Sequence, residues 1–229
     1  VLFRSLLTEA PDQNEIEFVT DDLEELYAGT VATPGLRWRL NSLNHSLGSL
    51  RQGDFGFIFA RPETGKTTFL ASEVSHMASQ AVSPVLWFNN EEQGEKVKIR
   101  VFQAALGVPL AELWGNRTRN KEEFVKTTKG NIKVIDEAVL SKSFIERACE
   151  LLSPSLIVID QIDKIHGFDA DREDLRLGSI YQWARELAKK YCPVIAVCQA
   201  DGTAEGKKWL TMDNVVSRSE EHTSELQSH

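Results

Sequence analysis

The chain has 229 residues, of which 41% are hydrophobic and 26% are charged, a balance typical of a globular protein with one sizeable core. It lacks both a run near the roughly 20 apolar residues that cross a bilayer and a secretory signal, and its three scattered cysteines predict reduced thiols in a cytoplasmic protein. A net charge of −8 argues against a basic protein that wraps around nucleic acid, although a ring-shaped motor with a few cations facing its channel remains compatible with it.

Both ends of the chain carry segments that we interpret as extraneous. Residues 218–229 resemble a translated sequencing adapter, because their opening Arg-Ser-Glu-Glu can be encoded by AGATCGGAAGAG. The reverse complement of that stretch encodes Leu-Phe-Arg-Ser, the sequence of residues 2–5. We therefore expect residues 1–5 and 218–229 to be adapter-derived and the natural segment to come from a longer gene. Residues 6–34 are an acidic lead-in with a short predicted helix over residues 20–27.

From residue 35 onward, short apolar runs alternate with amphipathic stretches. The apolar runs predict five strands, over residues 55–60, 85–89, 132–135, 156–160 and 194–198. The stretches between them predict helices over residues 67–79, 95–106, 122–128, 141–152 and 175–190. This alternation predicts an α/β fold, with a mainly parallel sheet covered by helices on both faces.

The first predicted strand runs directly into a phosphate-binding motif, Ala60-Arg61-Pro62-Glu63-Thr64-Gly65-Lys66-Thr67-Thr68. A strand before the motif and a helix after it make the Walker A match specific. Gly65 allows successive backbone N–H groups to point at phosphate oxygens, and the helix N-terminus adds its positive dipole end. Lys66 is expected to reach the β- and γ-phosphates, and the Thr67 hydroxyl to complete Mg²⁺ coordination. The motif therefore predicts ATP and Mg²⁺ as ligands, held by residues 61–68.

One departure from the Walker A consensus reduces the number of families that the motif resembles. Ala60 stands where the consensus begins with glycine, and ARPETGKTTF resembles the ARPSMGKT form of DnaB-type replicative helicases. Residues 35–54 are similar to the Gly-Leu entry, the Leu-Gly-Gly-Leu segment and the Gly-Asp of that family, with Ser49 in the second glycine place. The resemblance covers about residues 35–216. It implies a RecA-like P-loop core over residues 35–217, truncated at its C-terminal end.

The resemblance also implies roles for polar residues that close three further strands. By alignment with the helicase Ser-Leu-Glu-Met pattern, Glu91 would polarise the attacking water, with Glu92 as the alternative; both could instead be solvated residues at a helix start. Asp160 ends a Walker B strand and would hold Mg²⁺ indirectly, whereas Asp163 is interpreted as a loop carboxylate. Gln199 is similar to the glutamine that senses the γ-phosphate. Because such strand ends share one edge of a parallel sheet, we expect these side chains to converge.

In the resembling helicases, the loops after the Walker B and sensor strands face a DNA channel. The cations available there are Lys164, His166, Arg172, Lys207 and Lys208. Lys164 and the Lys207–Lys208 pair are the candidates for backbone phosphates, although ordinary solvated loops explain them equally well, and His166 is expected to make a local contact. The resemblance implies single-stranded DNA as a partner, a homo-hexamer with ATP at subunit interfaces, and a primase as a further partner.

The leading interpretation is the ATPase motor domain of a bacterial or phage-like replicative helicase. The alternatives are a KaiC- or RadA-like ATPase and a nucleotide-binding assembly module without strand-separating activity. Ala60 and the lack of a zinc motif favour the helicase over the first alternative. The arginine finger of the family comes from a neighbouring subunit, on a segment beyond the sensor strand that we expect to be missing here. We therefore expect this chain alone to hydrolyse ATP poorly.

Overall fold

The computed structural model describes residues 18–200 and 206–211, so the adapter-like segments at residues 1–5 and 218–229 lie outside the described residues. The chain divides into two units between Pro34 and Gly35. The described part of the first unit contains helix α1 (Leu23–Ala32). The Glu25 amide donates to the Asp22 side chain and the Asp22 amide donates to the Glu25 side chain, both at 2.9 Å. This reciprocal cap makes the helix begin at Leu23, later than the predicted residue 20, and the helix ends at Ala32 instead of residue 27.

The second unit is built on a parallel sheet. Its strands are β1 (Phe55–Ala60), β2 (Val85–Asn89), β3 (Ile132–Asp136), β4 (Leu156–Asp160) and β5 (Val194–Gln199). Its described helices are α2 (Asn41–Leu47), α3 (Lys66–Gln80), α4 (Gly94–Leu106), α5 (Leu110–Gly115), α6 (Arg117–Thr128), α7 (Lys142–Leu152) and α8 (Glu173–Lys190), with a 3-10 helix at Ile162–Lys164. The strand order is β1-β5-β4-β2-β3, and each neighbouring pair is parallel. The predicted α/β fold with a parallel sheet is confirmed.

Apolar side chains leave the two faces of the sheet alternately and enter two separate cores. Leu86 and Phe88 of β2 belong to the core that includes α7 and α8. Val85 and Trp87 belong to the core that includes α3, α4 and α6. Because successive side chains of a strand point to opposite faces, a continuous apolar run serves both cores, as expected for a sheet covered on both sides.

Helix α8 is the longest described helix, with 18 residues. Its buried positions, Leu177, Ile180, Trp183, Ala184, Leu187 and Ala188, recur at helical spacing. Through this apolar stripe α8 packs against the sheet, and the opposite side of the helix carries charged residues. Within residues 18–200 and 206–211, no helix combines the length and the apolar character that crossing a membrane would require.

The sequence prediction identified all five strands but was incomplete for the helices. Helix α6 begins at Arg117 and not at the predicted residue 122. The prediction missed residues 117–121 because it relied on apolar side chains, which these residues lack. Helices α2 and α5 were not predicted, because they have only 7 and 6 residues. Local contacts join helix α2 to the segment before it: the Trp38 backbone amide donates to Asn44 Oδ1 at 2.9 Å, and Asn44 Nδ2 donates to the Trp38 carbonyl at 2.8 Å.

Candidate active site

The polar residues predicted to form the site lie along the carboxyl edge of the sheet. Ala60, which opens the phosphate-binding loop, is the register partner of Gln199 at the end of β5. Asp160, at the end of β4, is the register partner of Asn89 at the end of β2. Since β5 lies between β1 and β4 and β4 neighbours β2, the loops that leave these four strands border one another.

The phosphate-binding loop connects β1 to α3 through two residues with left-handed backbone conformations. Glu63 has a φ of 58° and Gly65 a φ of 91°. Gly65 is the residue before the first turn of α3, where free N–H groups and the helix dipole favour an anion. Lys66 Nζ donates to the carbonyl oxygens of Ala60 at 3.3 Å and Arg61 at 3.2 Å. The ammonium group is therefore held inside the loop that a phosphate would enter.

Asp160 and Thr67 face each other below this loop. The Thr67 hydroxyl lies 3.5 Å from Asp160 Oδ2, and Asp160 is only 1% exposed. Burial raises the pKa of Asp160 to about 7, and the carboxylate of Glu91 adds to the rise while Lys66 opposes it. Asp160 Oδ1 is buried and has no hydrogen-bond partner among the described residues. An orphaned carboxylate oxygen beside a hydroxyl fits a hard cation such as Mg²⁺.

The structure distinguishes between the two glutamates that follow β2. Gln199 Nε2 donates to Glu91 Oε1 at 2.9 Å, which joins the ends of β2 and β5. Glu92 instead forms an ion pair with Arg100 of α4, with 2.6 Å between Arg100 Nη1 and Glu92 Oε2. Helix α4 begins only at Gly94, so neither glutamate opens it. Both glutamates lie within electrostatic range of Asp160, with Glu91 exerting the larger effect, but only Glu91 has a hydrogen bond to Gln199.

Further polar residues, which the sequence analysis did not single out, lie at the ends of β2 and β3. Asn89 Nδ2 donates to the Glu92 carbonyl and to Asp136 Oδ1, both at 2.6 Å. The Gly94 amide donates to Asp136 Oδ2 at 2.8 Å. Asp136 ends β3, so the rule that polar strand ends meet at one edge would have identified it, had it been applied to every strand.

The cations predicted to contact DNA are distributed along this edge. Lys164 is exposed at the end of the 3-10 helix, and Lys207 and Lys208 are exposed in the described segment 206–211. The Arg61 guanidinium donates to the Lys207 carbonyl oxygen, which connects the phosphate-binding loop to that segment. Lys208 Nζ lies 5.7 Å from the centre of the Trp209 ring. The interpretation of these lysines as DNA contacts stays a prediction.

The interpretation of other residues in the Walker B loop changes with the structure. Asp163, interpreted from the sequence as a loop carboxylate, lies in the 3-10 helix that follows β4, and its Oδ1 is buried. Burial raises its pKa. Arg172 pairs with Asp174 at 2.8 Å. His166 is exposed, and its backbone pairs with Leu140 and Lys142 at 2.9 Å.

Comparisons with known proteins extend these observations. The family profile of the DnaB-like helicase C terminal domain matches residues 35–211. The replicative DNA helicase DnaB of Buchnera aphidicola subsp. Baizongia pistaciae is 26% identical over 190 residues, covering 76% of this chain and 41% of that protein. The replicative DNA helicase DnaB of Haemophilus influenzae is 23% identical, covering 88% of this chain and 47% of that protein. The chain thus spans less than half the length of these curated relatives.

Solved structures show the same fold. A DnaB-like replicative helicase, described with its interactions with primase, superposes with a TM-score of 0.72 at 16% identity, covering 87% of this chain and 54% of that one. A second solved structure, described as an ATPase domain, superposes with a TM-score of 0.69 at 17% identity, covering 86% of this chain and 77% of that one.

Proposed function

Because the chain belongs to the family of DnaB-like helicase C-terminal domains, we propose that it is the ATP-hydrolysing motor domain of a replicative DNA helicase. One observation carries this proposal: the phosphate-binding loop, the Thr67–Asp160 pair and the Glu91–Gln199 pair share one edge of the parallel sheet. A triphosphate at the start of α3 would lie beside a metal-binding pair on one side and a general base on the other.

The proposed reaction is the attack of water on the γ-phosphorus. The water oxygen forms the new bond to phosphorus, the bond from phosphorus to the bridging oxygen breaks, and ADP leaves with that oxygen. Glu91 accepts the proton of the water, as a carboxylate within one water of the phosphorus is able to do. Lys66, now bound to two loop carbonyls, turns to the phosphates and compensates the charge that develops there.

Mg²⁺ is the metal that the donor set fits. Thr67 would bind it through its hydroxyl and Asp160 would hold it indirectly, through a water or through Thr67, and the ion would supply charge neutralisation to the phosphates. Within residues 18–200 and 206–211, no group of three or more His, Cys, Asp or Glu is arranged to hold a metal.

Gln199 is proposed to report the state of the γ-phosphate. Its amide already donates to Glu91, and a carboxamide can donate to one group while it accepts from another. A γ-phosphate that competes for this amide would move the end of β5, from which the chain continues to Lys207 and Lys208. The link from Arg61 to the Lys207 carbonyl gives this segment a second connection to the nucleotide.

The proposed partners follow from the same family. Single-stranded DNA would bind along Lys164, Lys207 and Lys208, which are exposed, through phosphate contacts that do not read sequence. Assembly into a homo-hexamer with ATP at the subunit interfaces is proposed from the family alone. A primase is named as the partner of the similar helicase of solved structure, and we extend that partner to this chain as a proposal. A motor on bacterial or phage DNA would work in the cytoplasm, where free cysteines stay reduced.

The test is the Lys66→Ala variant, made both in this chain and in the full-length gene product. We expect it to weaken ATP binding in this chain and to lower kcat of the full-length protein by about 10²–10³-fold, as removal of one preorganised charge does. Lys189→Ala is the matched control, because Lys189 is exposed near the end of α8. The unsubstituted full-length protein should hydrolyse ATP faster with single-stranded DNA. Robust turnover that DNA does not stimulate would contradict the helicase and favour a KaiC-like ATPase.

A further inference from the structure

The end of β2 is joined to the end of β4 by a side chain that takes the place of backbone. The paired residues of the two strands end at Asn89 and Asp160, and the Asn90 amide still donates to the Asp160 carbonyl at 2.9 Å. One residue further on, the Asn90 side chain continues the pairing. The Gln161 amide donates to Asn90 Oδ1 at 2.7 Å, and Asn90 Nδ2 donates to the Gln161 carbonyl at 3.3 Å. A carboxamide offers the same donor and acceptor as a peptide unit, so the Asn90 side chain adds one more pair of hydrogen bonds between the two strands.

The two residues that these hydrogen bonds join are the chain neighbours of the two carboxylates of the site. Asn90 directly precedes Glu91, and Gln161 directly follows Asp160. The two hydrogen bonds therefore set how far the chain at Glu91 departs from the strand that carries Asp160. On the other side of Glu91, Asn89 holds the Glu92 carbonyl at 2.6 Å. The backbone at Glu91 is thus fixed from both sides, whereas its exposed carboxylate is held by Gln199.

An ordinary turn asparagine would behave differently. Asparagine in a turn commonly binds the backbone a few residues away in the same segment. Here both atoms of the amide bind a residue 71 positions later, on a different strand.

We propose that Asn90 is a positioning residue, which holds Glu91 at the distance from Asp160 that the attack of water requires. This inference rests on the proposed role of Glu91 as the general base. A displacement of about 1 Å can cost about 10²-fold in rate without loss of binding. Asn90 therefore acts on the rate of the chemical step and not on the affinity for nucleotide.

The experiment compares four variants of the full-length gene product. Asn90→Leu has nearly the same size but loses both bonds to Gln161. Asn90→Ser is the second variant, since its side chain is shorter and adds no bulk if leucine disturbs folding. Asn131→Leu is the matched control: Asn131 Nδ2 also binds backbone, the Ala81 carbonyl at 3.0 Å, but it precedes β3 at the opposite edge of the sheet. Glu91→Gln tests the base itself. For each variant, kcat, KM for ATP and Kd for Mg-ADP are measured.

We expect both Asn90 variants to lose between about tenfold and 10²-fold in kcat, with Kd for Mg-ADP unchanged within about twofold, and Asn131→Leu to keep its kcat. The inference is overturned if kcat falls less than about tenfold, if Kd rises as much as kcat falls, or if Asn131→Leu loses as much. Glu91→Gln distinguishes failure of the proposed base, Glu91, from failure of the proposed positioning role of Asn90. If it keeps full activity, the proposed base is wrong; if it is inactive while Asn90→Leu turns over normally, only the positioning role is wrong.

Discussion

The contact between Gly94 and Asp136 leaves no room for a side chain. A Cβ atom built on Gly94 would lie 2.6 Å from Asp136 Cβ and 2.8 Å from Asp136 Oδ2, closer than such atoms approach. The Gly94 amide donates a hydrogen bond to the same carboxylate. Because glycine has no side chain, the end of β3 can lie close to the turn that carries Glu91.

At this scale we predict that Gly94→Ala lowers the free energy of unfolding by about 1–3 kcal/mol, the usual cost of overpacking. Gly178→Ala is the matched control in α8, since an added Cβ there meets nothing within 4 Å. Because alanine is the better helix former, that change should raise stability by about 0.5–1 kcal/mol. Urea unfolding followed by circular dichroism measures both, and equal effects of the two substitutions would contradict the steric explanation.

Helix α3 connects the phosphate-binding loop to the core. Its first residues, Lys66 and Thr67, face the site, while Leu70, Val74 and Met77 are fully buried in the core beside β2. The residues that would bind nucleotide therefore depend on apolar contacts one turn further along the same helix. Short loops on a packed scaffold are the usual way in which binding residues are held.

We predict that Leu70→Ala lowers the free energy of unfolding by about 2–5 kcal/mol, the range for deletion of buried methyl groups. Leu151→Ala is the matched control, because Leu151 lies in α7 but is 80% exposed, and it should change stability by less than about 0.5 kcal/mol. Both values come from urea titration of the chain. A Leu70→Ala variant as stable as Leu151→Ala would mean that α3 is not packed as described.

The stability of the whole molecule without nucleotide should depend on the ionisation of Asp160. Burial raises the pKa of Asp160 to about 7 in the folded chain, from an ordinary value of 3.8 in a solvated carboxyl. The folded state therefore binds this proton more tightly than the unfolded state does. The stabilisation is complete below the lower of these values and is lost as the pH rises through the higher one.

We predict that, with metal removed by a chelator, the stability difference between the unsubstituted chain and Asp160→Asn depends on pH. The free energy of unfolding of the unsubstituted chain, relative to the variant, should fall between about pH 5.5 and about pH 8. Urea unfolding of both proteins at the two pH values measures it. A difference that stays constant would show that Asp160 ionises as an ordinary carboxyl does, and one that grows with pH would show that the folded state binds this proton less tightly than the unfolded state.

The sequence by itself determined the strands, the phosphate-binding loop and the chain positions of the candidate site residues. Apolar runs of 5 or 6 residues and a Gly-Lys-Thr after a strand are local signals, and local signals suffice for local structure. The helices α2 and α5 were missed because each is too short for a periodic pattern to identify it.

Only the tertiary structure decided the strand order and which polar residues meet. Glu91 and Glu92 are neighbours with the same chemistry, so the sequence could favour one only by resemblance. Their backbone directions at the strand end bring Glu91 to Gln199 and Glu92 to Arg100. The same holds for Asn90 and Gln161, which lie 71 residues apart. Contacts between residues distant in the sequence depend on how strands pair, and strand pairing is a property of the packed molecule rather than of any segment.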